Sequence, residues 1–237
     1  FLFKGFFLIL KSLNAKINIQ NLNFIYIAFF LYFPFTFGMH VTLRQYVAMI
    51  FLIYSMGYAM NGASYKSSLY FVISVLSHNS TGLIGPLVLF LNNNRIMKIF
   101  ACLGAILVPF AMYIINQLGK NYNFQQLNQL EVGAIIDIIY FLFFVFVLLV
   151  TYLSAYLKPE KDDNIILIIT AYFCLLSLAS LAIFSSSNSE RMGMLMAGIL
   201  YPFLFILLEQ KFAPKIPNRL ILFLISTLPL VLVYKQI

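Results

Sequence analysis

Continuous apolar runs dominate this chain and restrict what it can fold into more than any other feature. Eight of them follow one another, at roughly 22–37, 45–60, 68–91, 96–116, 135–157, 164–185, 192–209 and 219–234. A helix needs about 20 predominantly apolar residues to cross the hydrocarbon of a bilayer, and most of these runs come close to that length. None of the runs alternates apolar with polar residues, which excludes the strands of a membrane β-barrel. Only 9% of residues are charged, against about a quarter in a soluble domain, so water cannot be the solvent. The expected fold is all-α: a polytopic integral membrane helical bundle of about 7–9 membrane segments, with residues 1–237 forming a single transmembrane domain.

The chain opens at Phe1 with FLFKGFFLIL, an apolar piece about half a span long, without signal-peptide layout. The expectation is that further N-terminal helices of the natural protein precede it. Cys102 and Cys174 lie inside apolar runs and read as small buried hydrophobes rather than a disulfide framework. Neither is part of a Cys/His cluster with metal-ligand spacing, so no metal or cofactor is expected. No internal repeat of the kind that builds inverted-repeat transporters is visible.

Stretch 68–91, SLYFVISVLSHNSTGLIGPLVLFL, is interrupted by His78, Asn79, Ser80 and Thr81, followed by Gly82, Gly85 and Pro86. Polar side chains and irregular backbone at bilayer depth are costly unless they face protein or a wet cavity. The stretch therefore reads as a re-entrant hairpin or two short broken helices with HNST at the tip. Loop charge agrees. If 68–91 returns to its own side, Lys11, Lys16, Lys66, Arg95, Lys98, Lys158, Lys161, Lys211, Lys215 and Arg219 share the cytoplasmic face. Arg44, Lys120, Arg191 and Lys235 are left outside, ten against four, as the positive-inside rule requires. A single crossing blurs that bias to near parity. The net charge of +8 is thus accounted for by cytoplasmic loops and does not call for nucleic acid.

On this topology the outer face collects an unusual set of polar residues. Arg44, after GMHVTL, and Arg191, after SSSNSE, each open an apolar helix, and Asp137 stands just inside another. Each arginine has an ordinary reading as an interfacial anchor. Both run against the positive-inside bias, however, and a guanidinium at a helix start suits bidentate phosphate binding beside free backbone N–H groups. His78 reads either as a hydrogen-bonded residue stabilising the break or as a functional group, His40 as an interfacial histidine, and Glu190 as a neutraliser of Arg191 or a helix cap. Loop 117–133, rich in Asn, Gln and Tyr, suits a solvated connector or a sugar-binding surface.

Three blocks carry a resemblance. TLRQYVAMIFLIYSMGYAM, SVLSHNSTGLIGPLVLFL and SSSNSERMGMLMAGILYPFLF, in this order from about residue 22 to 209, are similar to the corresponding segments of EpsG-like and Wzy-type polysaccharide polymerases. Those proteins usually have additional N-terminal helices. The resemblance implies a membrane-embedded, lipid-carrier-dependent glycosyltransferase of the bacterial inner membrane, working without metal or other cofactor. Such enzymes join undecaprenyl-diphosphate-linked oligosaccharide repeats into O-antigen of lipopolysaccharide, capsule or exopolysaccharide on the outer side. A chain-length regulator is the implied protein partner.

The chemistry matches the residue types. Departure of the lipid diphosphate develops negative charge that needs cations aimed at it, and Arg44 and Arg191 are the candidates, Arg44 first. The acceptor hydroxyl needs at most a modest base, with His78, Glu190 and Asp137 available. Gln45, His40, Asn79, Ser80, Thr81 and Asn188 are candidate contacts to sugar or phosphate. Other readings are a transporter or flippase of lipid-linked oligosaccharide, which shares the broken helix and arginines, an O-antigen ligase, for which loop 117–133 is short, and a membrane scaffold, which would not require HNST at bilayer depth.

Overall fold

The computed structural model describes residues 2–13, 43–92, 94–120, 130–157, 159, 163–183 and 186–207. The apolar runs at 22–37 and 219–234, most of loop 117–133, and His40 lie outside them. The described residues are helical nearly throughout, with no strand among them: α1 (Leu2–Ser12), α2 (Leu43–Met60), α3 (Ser64–Ser77), a 3-10 turn (Asn79–Ile84), α4 (Gly85–Phe90), α5 (Arg95–Lys120), α6 (Leu130–Leu157), α7 (Asp163–Ile183) and α8 (Ser186–Ile206). Among them, three segments are long and apolar enough to cross a membrane: Arg95–Ile114, Ile138–Leu157 and Asp163–Ile183. Large apolar side chains such as Ile106, Phe110, Leu142 and Phe146 are exposed on these helices, as expected where the solvent is lipid.

The residues form two compact units, one of Phe1–Thr81 with Ala197–Ile237, the other of Gly82–Met196. In the first, α1 is the half-length apolar piece of the sequence. It buries Phe6, Ile9 and Leu10, the i, i+3, i+4 face of an amphipathic helix. Small residues let it lie close to α2. A Cβ on Gly57 would stand 2.8 Å from the Leu8 Cβ, and one on Gly5 would stand 2.8 Å from the Tyr54 ring. In lipid, where apolar side chains gain nothing by leaving solvent, such backbone approach is a main source of helix association.

A tight turn joins α2 to α3. Gly62 has φ 75°, and the N–H groups of Gly62 and Ala63 donate to the carbonyls of Ala59 and Tyr58 at 3.1 and 2.9 Å. This is a Schellman cap, in which glycine accepts the left-handed position without strain. Three serines then hold the antiparallel pair. Ser55 Oγ donates to the Ser67 carbonyl and Ser67 Oγ to the Ser55 carbonyl, both at 2.9 Å, and Ser74 Oγ donates to the Ala48 carbonyl at 2.7 Å. Tyr70 of α3 stacks against Tyr58 of α2 with ring centroids 5.5 Å apart.

In the second unit α4 packs on α5, where a Cβ on Gly104 would lie 3.1 Å from Pro86. Asn94 starts α5 by accepting the Ile96 N–H on Oδ1 at 2.9 Å, an ordinary N-cap. Helices α6 and α7 pack along each other, with Phe144 and Phe173 at 5.9 Å between ring centroids. The Asn116 side-chain amide donates to the Ile183 carbonyl and ties α5 to α7. One expectation fails here. Cys102 is exposed on α5, and Cys174 is only half-buried; a thiol in a membrane helix can face lipid as readily as protein, so apolar context alone does not imply burial.

Candidate functional site

The break expected within 68–91 falls where the polar residues stand. Helix α3 stops at Ser77, and His78 turns extended at φ −157°, ψ 115° while its N–H still donates to the Ser74 carbonyl. The chain then tightens into the 3-10 turn. Thr81 donates to the His78 carbonyl twice, from N at 3.1 Å and from Oγ1 at 2.7 Å. Ser80 N–H donates to His78 Nδ1 at 3.3 Å. Short polar side chains that bond to nearby backbone compete with helix continuation, and Pro86, without an N–H, favours a fresh start at α4.

The Ser80 contact bears on the tautomer of His78. A ring nitrogen that accepts a backbone N–H carries no proton, so Nδ1 is the bare nitrogen and Nε2 the protonated one in the neutral ring. In that tautomer the ring proton is carried at Nε2. Acting as a base through Nε2 would require the other tautomer and loss of the Ser80 contact. The hydroxyl of Thr81, fully buried, is committed to the His78 carbonyl. Asn79 is exposed and Ser80 half-buried on the same turn.

The serine contacts fix what lies opposite this turn. Ser55 faces Ser67, and seven residues further along each helix Ala48 faces Ser74. Four more residues in the same directions reach Arg44 on α2 and His78 after α3. The two thus stand level at one end of the antiparallel pair. Arg44 is exposed and is the second residue of α2, in the turn whose N–H groups have no helical acceptor. Gln45 beside it is buried. The first unit therefore brings Arg44, Gln45, His78, Asn79, Ser80 and Thr81 to one end of α2 and α3.

Asp137, Asn188, Glu190 and Arg191 belong to the second unit. Asp137 lies within α6, one turn before Tyr140. A Cβ on Gly193 of α8 would sit only 2.5 Å from the Tyr140 ring, so the α6 turn that begins at Asp137 and the α8 turn holding Arg191 are neighbours. Arg191 is exposed. It does not open its helix, as the sequence suggested. Helix α8 begins at Ser186 and takes Asn188 and Glu190 into its first turns, because the polar SSNSE run supplies helix-starting residues rather than a loop.

Sequence reasoning missed the serines that set the α2–α3 register. Their spacing, 55 on one side of a tight turn and 67 and 74 on the other, was the available signal. It also missed Asp163, a buried acid at the start of α7, and Tyr172, whose hydroxyl donates to the Leu83 carbonyl at 2.5 Å. Among the described residues no three His, Cys, Asp or Glu side chains cluster in a way that would hold a metal ion.

Membrane-length apolar helices, with an arginine at a helix start level with a histidine-centred polar break, define a helical membrane protein with polar groups gathered at one end of a helix pair. Over its whole length, residues 1–237, the chain matches the EpsG family. It belongs to that family, which is one of Wzy-like polysaccharide polymerases. It is accordingly a membrane protein of polymerase type, with glycosyltransferase-like chemistry at the family level. Neither the curated proteins nor the solved structures contain a significant match to it.

Proposed function

We infer that this protein joins undecaprenyl-diphosphate-linked oligosaccharide repeat units into O-antigen, capsule or exopolysaccharide on the outer side of the bacterial inner membrane. The observation that carries the reading is the register of α2 and α3, which sets Arg44 level with His78 at a helix start and a helix break. In the reaction a hydroxyl of the acceptor repeat attacks the anomeric carbon of the donor glycan. The bond from that carbon to the diphosphate oxygen breaks, and the lipid diphosphate leaves with the bonding pair. Arg44 is assigned to the charge that develops on it, in a bidentate contact that lysine cannot reproduce. His78, a donor at Nε2, is assigned to phosphate or sugar oxygen rather than to proton abstraction.

The hydroxyl proton needs an acceptor, and by chemistry the candidates are Glu190 and Asp137. Arg191 is a second candidate cation, and Gln45, Asn79, Ser80 and Asn188 are candidate sugar contacts. Thr81, with its hydroxyl committed to backbone, is assigned to shaping the turn. The multi-pass arrangement with 68–91 re-entering from the cytoplasmic side, and a chain-length regulator as partner, belong to the same proposal.

The test is the size ladder of surface polysaccharide in cells with the gene deleted, restored, or restored as Arg44→Ala or Arg44→Lys at matched protein level. The expected result is single repeat units in the deletion strain and in both variants. Wild-type ladders in both variants remove Arg44 from the reaction. Loss of all surface sugar on deletion, with lipid-linked repeats held on the inner leaflet, identifies a flippase instead.

A further inference from the structure

A second feature is independent of that reading. In the second unit, Pro86 and Phe90 of α4, Cys102 and Ala105 of α5, and Ile168 and Tyr172 of α7 line a groove of about 170 Å³ with almost no polar surface. The Tyr172 hydroxyl, its one polar group among these six side chains, is spent on the Leu83 carbonyl. Two of the three walls, α5 and α7, are membrane-length apolar helices. They run parallel, because Cys102 and Ile168 both line the groove while Asn116 binds Ile183 further along. The groove is thus an apolar slot along the axis of membrane helices.

One end of the slot is charged. The Lys98 ammonium lies over the Phe90 ring, 5.6 Å from its centroid, and Phe90 is part of the lining. Arg95 is one turn earlier on α5, and both cations are exposed in the first turn of that helix, where the helix dipole adds positive potential. Asp163, at the start of α7 and so at the same end, is buried, whereas Arg95 and Lys98 are exposed there. A slot for an aliphatic chain that ends at cations has the charge pattern of an anionic lipid.

We propose that the α4–α5–α7 groove is a binding site for a single anionic phospholipid of the bilayer, its phosphate at Lys98 and Arg95 and one acyl chain between Phe90 and Ala105. The lipid fills the space beside α4 and holds that short helix against α5. Selection comes from the headgroup: each cation near a membrane surface contributes about fivefold in favour of an anionic lipid. The apolar slot contributes affinity without discriminating between headgroups.

The full chain is reconstituted in vesicles of equal phosphatidylglycerol and phosphatidylcholine, extracted, and weighed with its retained lipid by native mass spectrometry. Phosphatidylglycerol is expected to be retained over phosphatidylcholine. Lys98→Ala and Arg95→Ala each lower that preference roughly fivefold, Lys98→Arg keeps it, and Ala105→Phe, which fills the slot, releases lipid of either kind. Equal retention of both lipids by the wild type, or an unchanged preference in the alanine variants, overturns the proposal. Displacement of phosphatidylglycerol by equimolar undecaprenyl phosphate also overturns it and assigns the groove to the glycan carrier.

Discussion

If the serines of α2 and α3 set the level of Arg44 against His78, then removing their hydroxyls and removing their smallness should have opposite functional consequences. The triple variant Ser55→Ala, Ser67→Ala, Ser74→Ala deletes three interhelical donors whose bonds measure 2.7–2.9 Å. Their acceptors are backbone carbonyls within helices, which keep their own i+4 helical donors, so no buried acceptor is orphaned. The cost is then the modest membrane value of about 0.6 kcal/mol per bond, or about 2 kcal/mol for three. Alanine is no larger than serine, and the helices stay in close approach. Ser67→Leu makes the contrary change: it inserts a branched side chain at a buried contact with Ser55, costing about 1–3 kcal/mol, and it relieves the crowding only by moving α3 away from α2. Stability is measured by unfolding in mixed detergent micelles and function by the polysaccharide ladder at matched protein level. The triple alanine variant should be weakened yet polymerise, and Ser67→Leu should lose polymer at comparable stability. A triple alanine variant without polymer, or Ser67→Leu with a normal ladder, refutes the claim that helix register positions the site.

Other consequences follow from close contacts. Gly57→Ala should cost about 1–3 kcal/mol, because its Cβ meets the Leu8 Cβ at 2.8 Å. Leu8→Ala, which keeps that atom, should not rescue it in the same unfolding assay, whereas Leu8→Gly should. Gly193→Ala should reach the upper part of that range, since the new Cβ lies 2.6 Å from the root of the Tyr140 ring, while Gly198→Ala meets only the flexible thioether of Met49 and should be nearly neutral. His78→Ala removes the acceptor of the Ser80 N–H and should cost about 1 kcal/mol, the usual value of a lost cap. His78→Asn restores an acceptor, so it should recover stability without recovering polymer.

Helix positions and the polar break were legible in the sequence because both rest on local physics. Apolar runs at 96–116, 135–157 and 164–185 became α5, α6 and α7 within a few residues. The break at His78 was legible because four short polar side chains followed by Gly82, Gly85 and Pro86 leave helical backbone little reason to continue. Helix starts were less legible. Arg191 looked like the first residue of its helix because hydrophobicity begins there, yet serine and asparagine, which mark loops in composition, also start helices, and α8 begins five residues earlier. The orientation of Cys102 was not legible, since membrane helices place apolar residues on every face.

The level of Arg44 with His78 lies between these cases, and it shows what kind of information a single sequence holds about a site. Nothing about either residue alone pairs them: they are separated by two helices and a turn. The pairing follows from three features, each with a sequence signature: a glycine that closes a Schellman turn at 62, small hydroxyl residues at 55 and 67 that let the backbones meet, and helical rise that is equal on both sides. Once the turn fixes the point of reversal, equal distances along α2 and α3 bring position 44 opposite position 78. The hydrogen bonds of His78 then bear on the role proposed for it. A histidine in a polar break invites a reading as general base, but the same contact that ends the helix, Ser80 N–H to Nδ1, makes Nε2 a donor. In the proposed reaction that tautomer suits His78 to holding a substrate oxygen rather than to taking its proton.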